Sequence, residues 1–199
     1  MIAALVTFLR AVRLASAIVA AHPDVADELA ATAAVAIVLE AGDHDPALVA
    51  ALFAPESGFD HRKVNPASGA CGIGQVLYSH DRAVQARRCR RVLRSARAGV
   101  RAAVRKLDDA SAFCVGRAAV RRFGADACAI AGYIGGPSVV RALERGDRWV
   151  AARIDAARAR RDAIRSAAAR HGAQGDPATG SLVPHETLGG GTFLDGGGA

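Results

Sequence analysis

The chain has 199 residues and a mass of 20.4 kDa, enough for one domain with a sizeable core and too little to leave comfortable room for a second. Hydrophobic residues make up 51% but aromatics only 5%, and alanine dominates, so a sheet-rich architecture is disfavoured and an all-α fold of closely packed helices is expected, with a minimal β-hairpin at most. The formal charge of +7 comes almost wholly from arginine, Lys63 and Lys106 being the only lysines, which directs the chain towards anions: nucleic acid, an anionic lipid or lipopolysaccharide surface, or the acidic polymers of a bacterial envelope.

In chain order, the apolar positions from Ala3 to about Ala21 recur at helical spacing; Arg10 and Arg13 interrupt the run and no charged region precedes it. It reads as a folded amphipathic helix, too short and too charged to span a bilayer comfortably, so that export needs another route. A second helix follows in "HPDVADELAATAAVAIVLEAG", with Pro23 and Asp24 near its start and Gly42 as its stop. In "DHDPALVAALFAPES", Asp45 is a good N-cap, Pro46 suits the first helical position and Gly58 ends the run, which places Glu56 in the last turn. Pro55 removes a backbone donor there and is expected to bend the helix just before Glu56.

Residues Phe59 to Gly74 hold no sustained period and are rich in Gly, Asn, Pro and Ser, the composition of a shaped loop. Helical patterns return at Ala83–Leu93, Ala96–Leu107 and Ser111–Phe123. "GADACAIAGYIGG" makes a further helix ending at Gly135 and Gly136, Pro137 starts another, and "DRWVAARIDAARARRDAIRSAAARHG" makes a long last one. One domain over residues 1–171 is expected, then a Gly-rich flexible tail over 172–199.

Four cysteines, Cys71, Cys89, Cys114 and Cys128, lack the close pairs of a zinc site. They fit two disulfides of an extracytoplasmic protein or four buried thiols; Cys89 with Cys114 is the first pairing to consider. His61 and His80 flank the loop and read as exposed loop histidines, so neither a metal nor a cofactor is expected. The arginines from Arg87 to Arg94, and Arg153, Arg158, Arg160, Arg161, Arg165 and Arg170 on the last helix, are solvated faces or a means of holding an anionic envelope. Aromatics for stacking are scarce and no reading helix is recognisable, which argues against a specific nucleic acid partner.

Three motifs carry a resemblance. "ESGF" at Glu56–Phe59, "GACGIGQ" at Gly69–Gln75 and "AGYIGGP" at Ala131–Pro137 are similar, in that order, to the ESxF, GAxGLMQ and AYNAGP of the soluble lytic transglycosylases, lysozyme-like enzymes of bacteria and phages. The resemblance covers about residues 30 to 145. It departs at Gly74, where the family has Met and where the smaller residue is expected to widen the groove, and at Ile134, where the family has Asn beside the sugar.

The resemblance implies a lysozyme-like helical domain, acting as a monomer on peptidoglycan glycan strands in the periplasm or cell wall, virion-borne or released by a holin. It also implies one catalytic carboxylate. Glycosidic cleavage needs a proton delivered to the leaving oxygen, which a carboxyl group does near neutral pH where apolar neighbours, here Leu52, Phe53 and Phe59, disfavour its charge. Glu56 takes the role of acid and then base, and Tyr133 assists it. Ser57, Phe59, Gly72, Ile73, Gly74, Gln75 and Ile134 are the implied substrate contacts. A goose-type lysozyme, which hydrolyses the same bond, needs a second carboxylate, for which Asp43, Asp60 and Asp81 are available. An inactive glycan-binding relative is a further alternative.

Overall fold

The computed structural model describes residues 2–174. Among them the chain is all-α: α1 (Ile2–Ala21), α2 (Asp27–Glu40), α3 (Pro46–Ser57), α4 (Arg82–Val92), α5 (Ala96–Cys114), α6 (Ala118–Phe123), α7 (Ala125–Arg145) and α8 (Arg148–Gln174). The expected hairpin is reduced to two isolated antiparallel bridges, Val64 with Cys71 and Cys71 with Val76.

The centre is α3. Every residue from Ala47 to Phe53 is buried, so this helix is apolar all round, and α1, α2 and α8 pack about it. Its start is as expected: the Asp45 carboxylate accepts from the N–H groups of Ala47 (3.1 Å) and Leu48 (3.2 Å), and Pro46 occupies the first turn. Its end is also as expected, with Gly58 left-handed at φ 63°. The helix nevertheless continues through Pro55 to Ser57. The other pairings are α1 on α2 and α8, α2 on α5, α5 and α6 on α7, α7 on α8, and α4 on α5. Alanines at the contacts, among them Ala30, Ala33, Ala34, Ala50 and Ala51, are fully buried and let the helix axes approach closely.

Five expectations are corrected. The second helix starts at Asp27 because His22 to Ala26 form a turn around Pro23. Asp108 and Asp109, read as a gap between helices, lie on the exposed face of an unbroken α5, whose apolar face continues through Ala110 to Cys114; the break falls at Gly116 (φ 74°). The last helix runs past Gly172 to Gln174, and the rest of the expected tail lies outside the described residues. By length and composition α1 does suffice to cross a membrane, Arg10 and Arg13 notwithstanding; here it buries Ala11, Leu14, Ala17 and Ile18 and leaves Leu5, Phe8 and Leu9 exposed. The cysteines pair as Cys71–Cys89 and Cys114–Cys128, not as Cys89–Cys114. The first bond ties the loop after α3 to α4, and the second ties the end of α5 to α7.

The expected boundary at Gly135 and Gly136 is real although α7 is continuous around it. Gly135 (φ −155°, ψ 24°) and Gly136 (φ 64°, ψ −157°) are non-helical, and the second conformation is open essentially to glycine alone.

Candidate active site

Glu56 leaves the last turn of α3 half-buried, in a cleft of about 270 Å³ between α3, α7 and α8. Ala51, Leu52 and Pro55 form one wall, Ile134 another, and α8 supplies Arg153 and Arg160, seven residues apart and so on one helix face. Glu56 is the only carboxylate among the described residues lining this cleft. Asp81 caps α4 by accepting from Ala83 N–H (2.8 Å) and Val84 N–H (3.1 Å), Asp60 accepts from Arg62 N–H (2.8 Å) in the loop, and Asp43 lies in the turn before α3.

The three sequence motifs meet behind Glu56. Ser57 Oγ donates to the Ile73 carbonyl at 2.7 Å, joining the first motif to the second. Tyr133 Oη donates to the Gly74 carbonyl at 2.8 Å, joining the third motif to the second. Gln75 Nε2 donates to the carbonyls of Gly72 (2.9 Å) and Lys63 (3.1 Å) and so closes the loop on itself. The side chains of Ser57, Gln75 and Tyr133 are buried, where a lost partner is costly.

This arrangement relocates most of the expected substrate contacts. Of the residues named from sequence, Glu56 and Ile134 line the cleft, while Ser57, Phe59, Ile73, Gln75 and Tyr133 are buried behind it. Gly74 does not widen a groove: a Cβ there would lie 2.4 Å from Ala103 Cβ, 2.5 Å from Tyr133 Oη and 3.1 Å from Phe53 Cε1. Its glycine permits the loop to touch α5, α7 and α3 at once. A Cβ on Gly72 would likewise meet Val92 Cγ1 at 2.5 Å, in the interior. Phe59 (φ 68°) and Gln75 (φ 45°) are the non-glycine residues with positive φ among those described, and both belong to these motifs. Such conformations cost on the order of 1–3 kcal/mol and persist where surrounding contacts enforce them.

Four residues escaped sequence reasoning or had their place missed by it. Lys106 of α5 sets its ammonium 4.6 Å from the centre of the Tyr133 ring. Burial pulls its pKa below the ordinary lysine value, against the opposing pull of the Glu56 charge. Burial, with the Glu56 charge adding to it, pushes the Tyr133 phenol well above its ordinary value, so it remains a donor. The signal for Lys106 was its rarity as one of two lysines among 26 basic residues. Buried Gln85 of α4 accepts from Tyr78 N–H (2.7 Å) and donates to the carbonyls of Gly69 (2.9 Å) and Val76 (3.1 Å), fastening α4 to the loop; nothing in the sequence marked it. Arg153 and Arg160 were read only as members of a basic face.

That face divides. Arg158 donates to the Phe123 carbonyl (3.1 Å), Arg161 pairs with Asp126 (3.1 Å) and Asp162 (2.9 Å), and Arg165 pairs with Asp45 (3.0 Å). Arg153 and Arg160 turn to the Glu56 cleft instead. His80 is exposed as expected, whereas His61 is half-buried with its Nδ1 unpartnered. The cleft therefore offers one carboxyl group on apolar walls for proton transfer, with two guanidinium groups beside it for an anionic substituent. No protein-family model, curated protein or solved structure matches the chain.

Proposed function

We propose that the chain is a peptidoglycan lytic transglycosylase that cleaves the MurNAc–GlcNAc β-1,4 bond with Glu56 as its sole catalytic carboxylate. The observation that carries this reading is the convergence of three motifs, far apart in sequence, on one buried hydrogen-bonded frame behind that glutamate. A chance likeness in three short strings gives no reason for them to bond to each other.

In the proposed reaction the Glu56 carboxyl group protonates the glycosidic oxygen as the bond to C1 breaks, and the substrate's own N-acetyl oxygen supports C1. The Glu56 carboxylate then takes the proton of the 6-hydroxyl as that oxygen attacks C1. This gives a 1,6-anhydroMurNAc end, consumes no water and returns the carboxyl group to its starting state. One carboxylate is sufficient for this route, and the cleft presents one. Hydrolysis by the paired-carboxylate route needs a second, and Asp43, Asp60 and Asp81 are engaged or placed elsewhere.

Ile134 stands in the cleft where the similar enzymes have Asn, which makes that wall apolar and shifts polar recognition to Arg153 and Arg160. Tyr133 and Lys106 are positioning residues, holding the loop and the charge balance behind Glu56. The proposed place of action is the cell wall or periplasm, reached as a holin-released or virion-borne lysin, and the two disulfides suit an oxidising compartment.

The test is mass spectrometry of soluble products from purified murein, with wild type and Glu56→Gln. Anhydro-muropeptides from wild type alone are expected. Reducing-end products would make the enzyme a lysozyme, and the absence of products from both proteins would overturn the reading.

A further inference from the structure

A second cleft, of about 700 Å³, lies between α4 and α5. Arg87, Arg88 and Arg91 line it from α4, Arg101 and Arg105 from α5, and Tyr78 from the segment between the motif loop and α4. Among the described residues Arg87, Arg88, Arg91 and Arg105 have no carboxylate partner, whereas Arg101 is held by Glu40 through Nε (2.7 Å) and Nη2 (2.8 Å). Among the described residues no acidic side chain lines the recess. Unpaired guanidinium groups on facing walls repel one another, and an anion between them relieves that repulsion with charge-assisted, bidentate hydrogen bonds.

One stripe of α5 joins this cleft to the neighbourhood of Glu56. Ala98 and Ala102 line the cleft, and Lys106 follows on the same stripe of α5, four residues and about 6 Å further along the axis. Lys106 is the residue that covers the Tyr133 ring and feels the Glu56 charge. The floor of the cleft is the small cluster of Cys71, Cys89 and Val92 packed with Tyr78 and Ala102 and crossed by the Cys71–Cys89 disulfide.

We propose that this arginine cleft is the subsite for the anionic stem peptide of the murein strand, its guanidinium groups receiving the peptide's carboxylates. The inference rests on the peptidoglycan reading above, since the stem peptide is the acidic part of that substrate and hangs from the sugar at the scissile bond. A nucleic acid fits the recess less well. Arg88 lies over the Tyr78 ring, 5.7 Å from its centre, so the aromatic face on which a base would stack is already covered.

The test uses the full chain carrying Glu56→Gln, so that binding is measured without turnover, with and without the added triple substitution Arg87→Gln, Arg91→Gln and Arg105→Gln. The probes are soluble glycan strands with intact stem peptides and the same strands stripped of peptides by an amidase. Intact strands are expected to bind about tenfold more weakly to the triple variant, with stripped strands bound equally by both proteins. Equal loss on both strands, or no loss on either, would overturn the proposal, as would a DNA duplex that competes with intact strands for the arginines. The triple substitution is also placed on the wild-type background: anhydro products from stripped strands at the wild-type rate are expected. Failure of the stem-peptide proposal thus leaves product formation intact, whereas failure of the peptidoglycan reading removes it from wild type as well.

Discussion

The two clefts differ in a way that size alone would misrank. The one between α4 and α5 is the larger, about 700 Å³ against about 270 Å³, and by charge it is the more conspicuous. It nevertheless contains no group that can move a proton at neutral pH, only guanidinium groups and one phenol pushed above its ordinary pKa by burial. The smaller cleft holds one carboxyl group, and the buried hydrogen bonds of three motifs stand directly behind it. In the proposed reaction the chemistry belongs to this supported side chain, and in the stem-peptide proposal the larger cleft only binds.

The largest effect is expected from exchanging the one carboxyl group of the smaller cleft. Glu56→Gln removes the proton but keeps the shape, so turnover on murein should fall by about 10²–10⁴-fold with the melting temperature nearly unchanged. The stem-peptide difference between intact and stripped strands should survive. Equal activity in the variant would show that the carboxyl group is incidental.

Next in size is the separation of the two disulfides. Replacing either pair by serines should cost about 3 kcal/mol, since the bonds close loops of similar length, 18 and 14 residues apart. Their effects on activity should differ. Cys71 sits inside the second motif and its bond passes beneath the arginine cleft, so losing Cys71–Cys89 should depress turnover at a temperature where the protein is still folded. Losing Cys114–Cys128, at the far end of α5, should leave turnover near wild type under the same condition. Equal activity losses would mean that the loop needs no such anchor.

Gly74→Ala sharpens the same point from the interior. Its Cβ meets Ala103 and the Tyr133 hydroxyl well inside van der Waals contact, so a destabilisation of about 1–3 kcal/mol and a displaced loop are expected. A variant more active than wild type, with an unchanged denaturation midpoint, would restore the idea that position 74 opens onto the groove.

These cases also show what was legible beforehand. The frame of α3 could be read from Asp45, Pro46 and Gly58 because capping is local chemistry, and Gly135–Gly136 marked a true break for the same reason. The break proposed near Asp108 failed because burial of Ala110 and Cys114 outweighs the poor helix propensity of two exposed aspartates. At the site, the motifs named the right segments but not which side chains face the cleft. That depends on helix α8, more than 90 residues beyond Glu56, and on the buried Gln85, neither of which lies within a local pattern. The cysteine pairing was equally non-local.

The smallest expected effect concerns the joint that holds the wall of the larger cleft. Glu40 of α2 takes both Arg97 and Arg101 of α5, and hydrogen bonding to Arg101, aided by Arg97, draws its pKa from 4.5 down to about 2. A carboxylate held below its unfolded value stabilises the fold fully above that value, and the contribution disappears as pH falls through the folded one. Both guanidinium groups are more than half exposed, so solvent screens the pair and its contribution is small. Glu40→Gln should therefore be slightly less stable than wild type in urea at pH 7, with the gap narrowing from about pH 4.5 and closing near pH 2. Freed from Glu40, Arg101 should join the unpaired arginines of the cleft, so the same variant should bind intact murein strands at least as well as before. Weaker binding together with a pH-independent stability gap would mean that Glu40 shapes the cleft through packing, and that its charge has no part in either property.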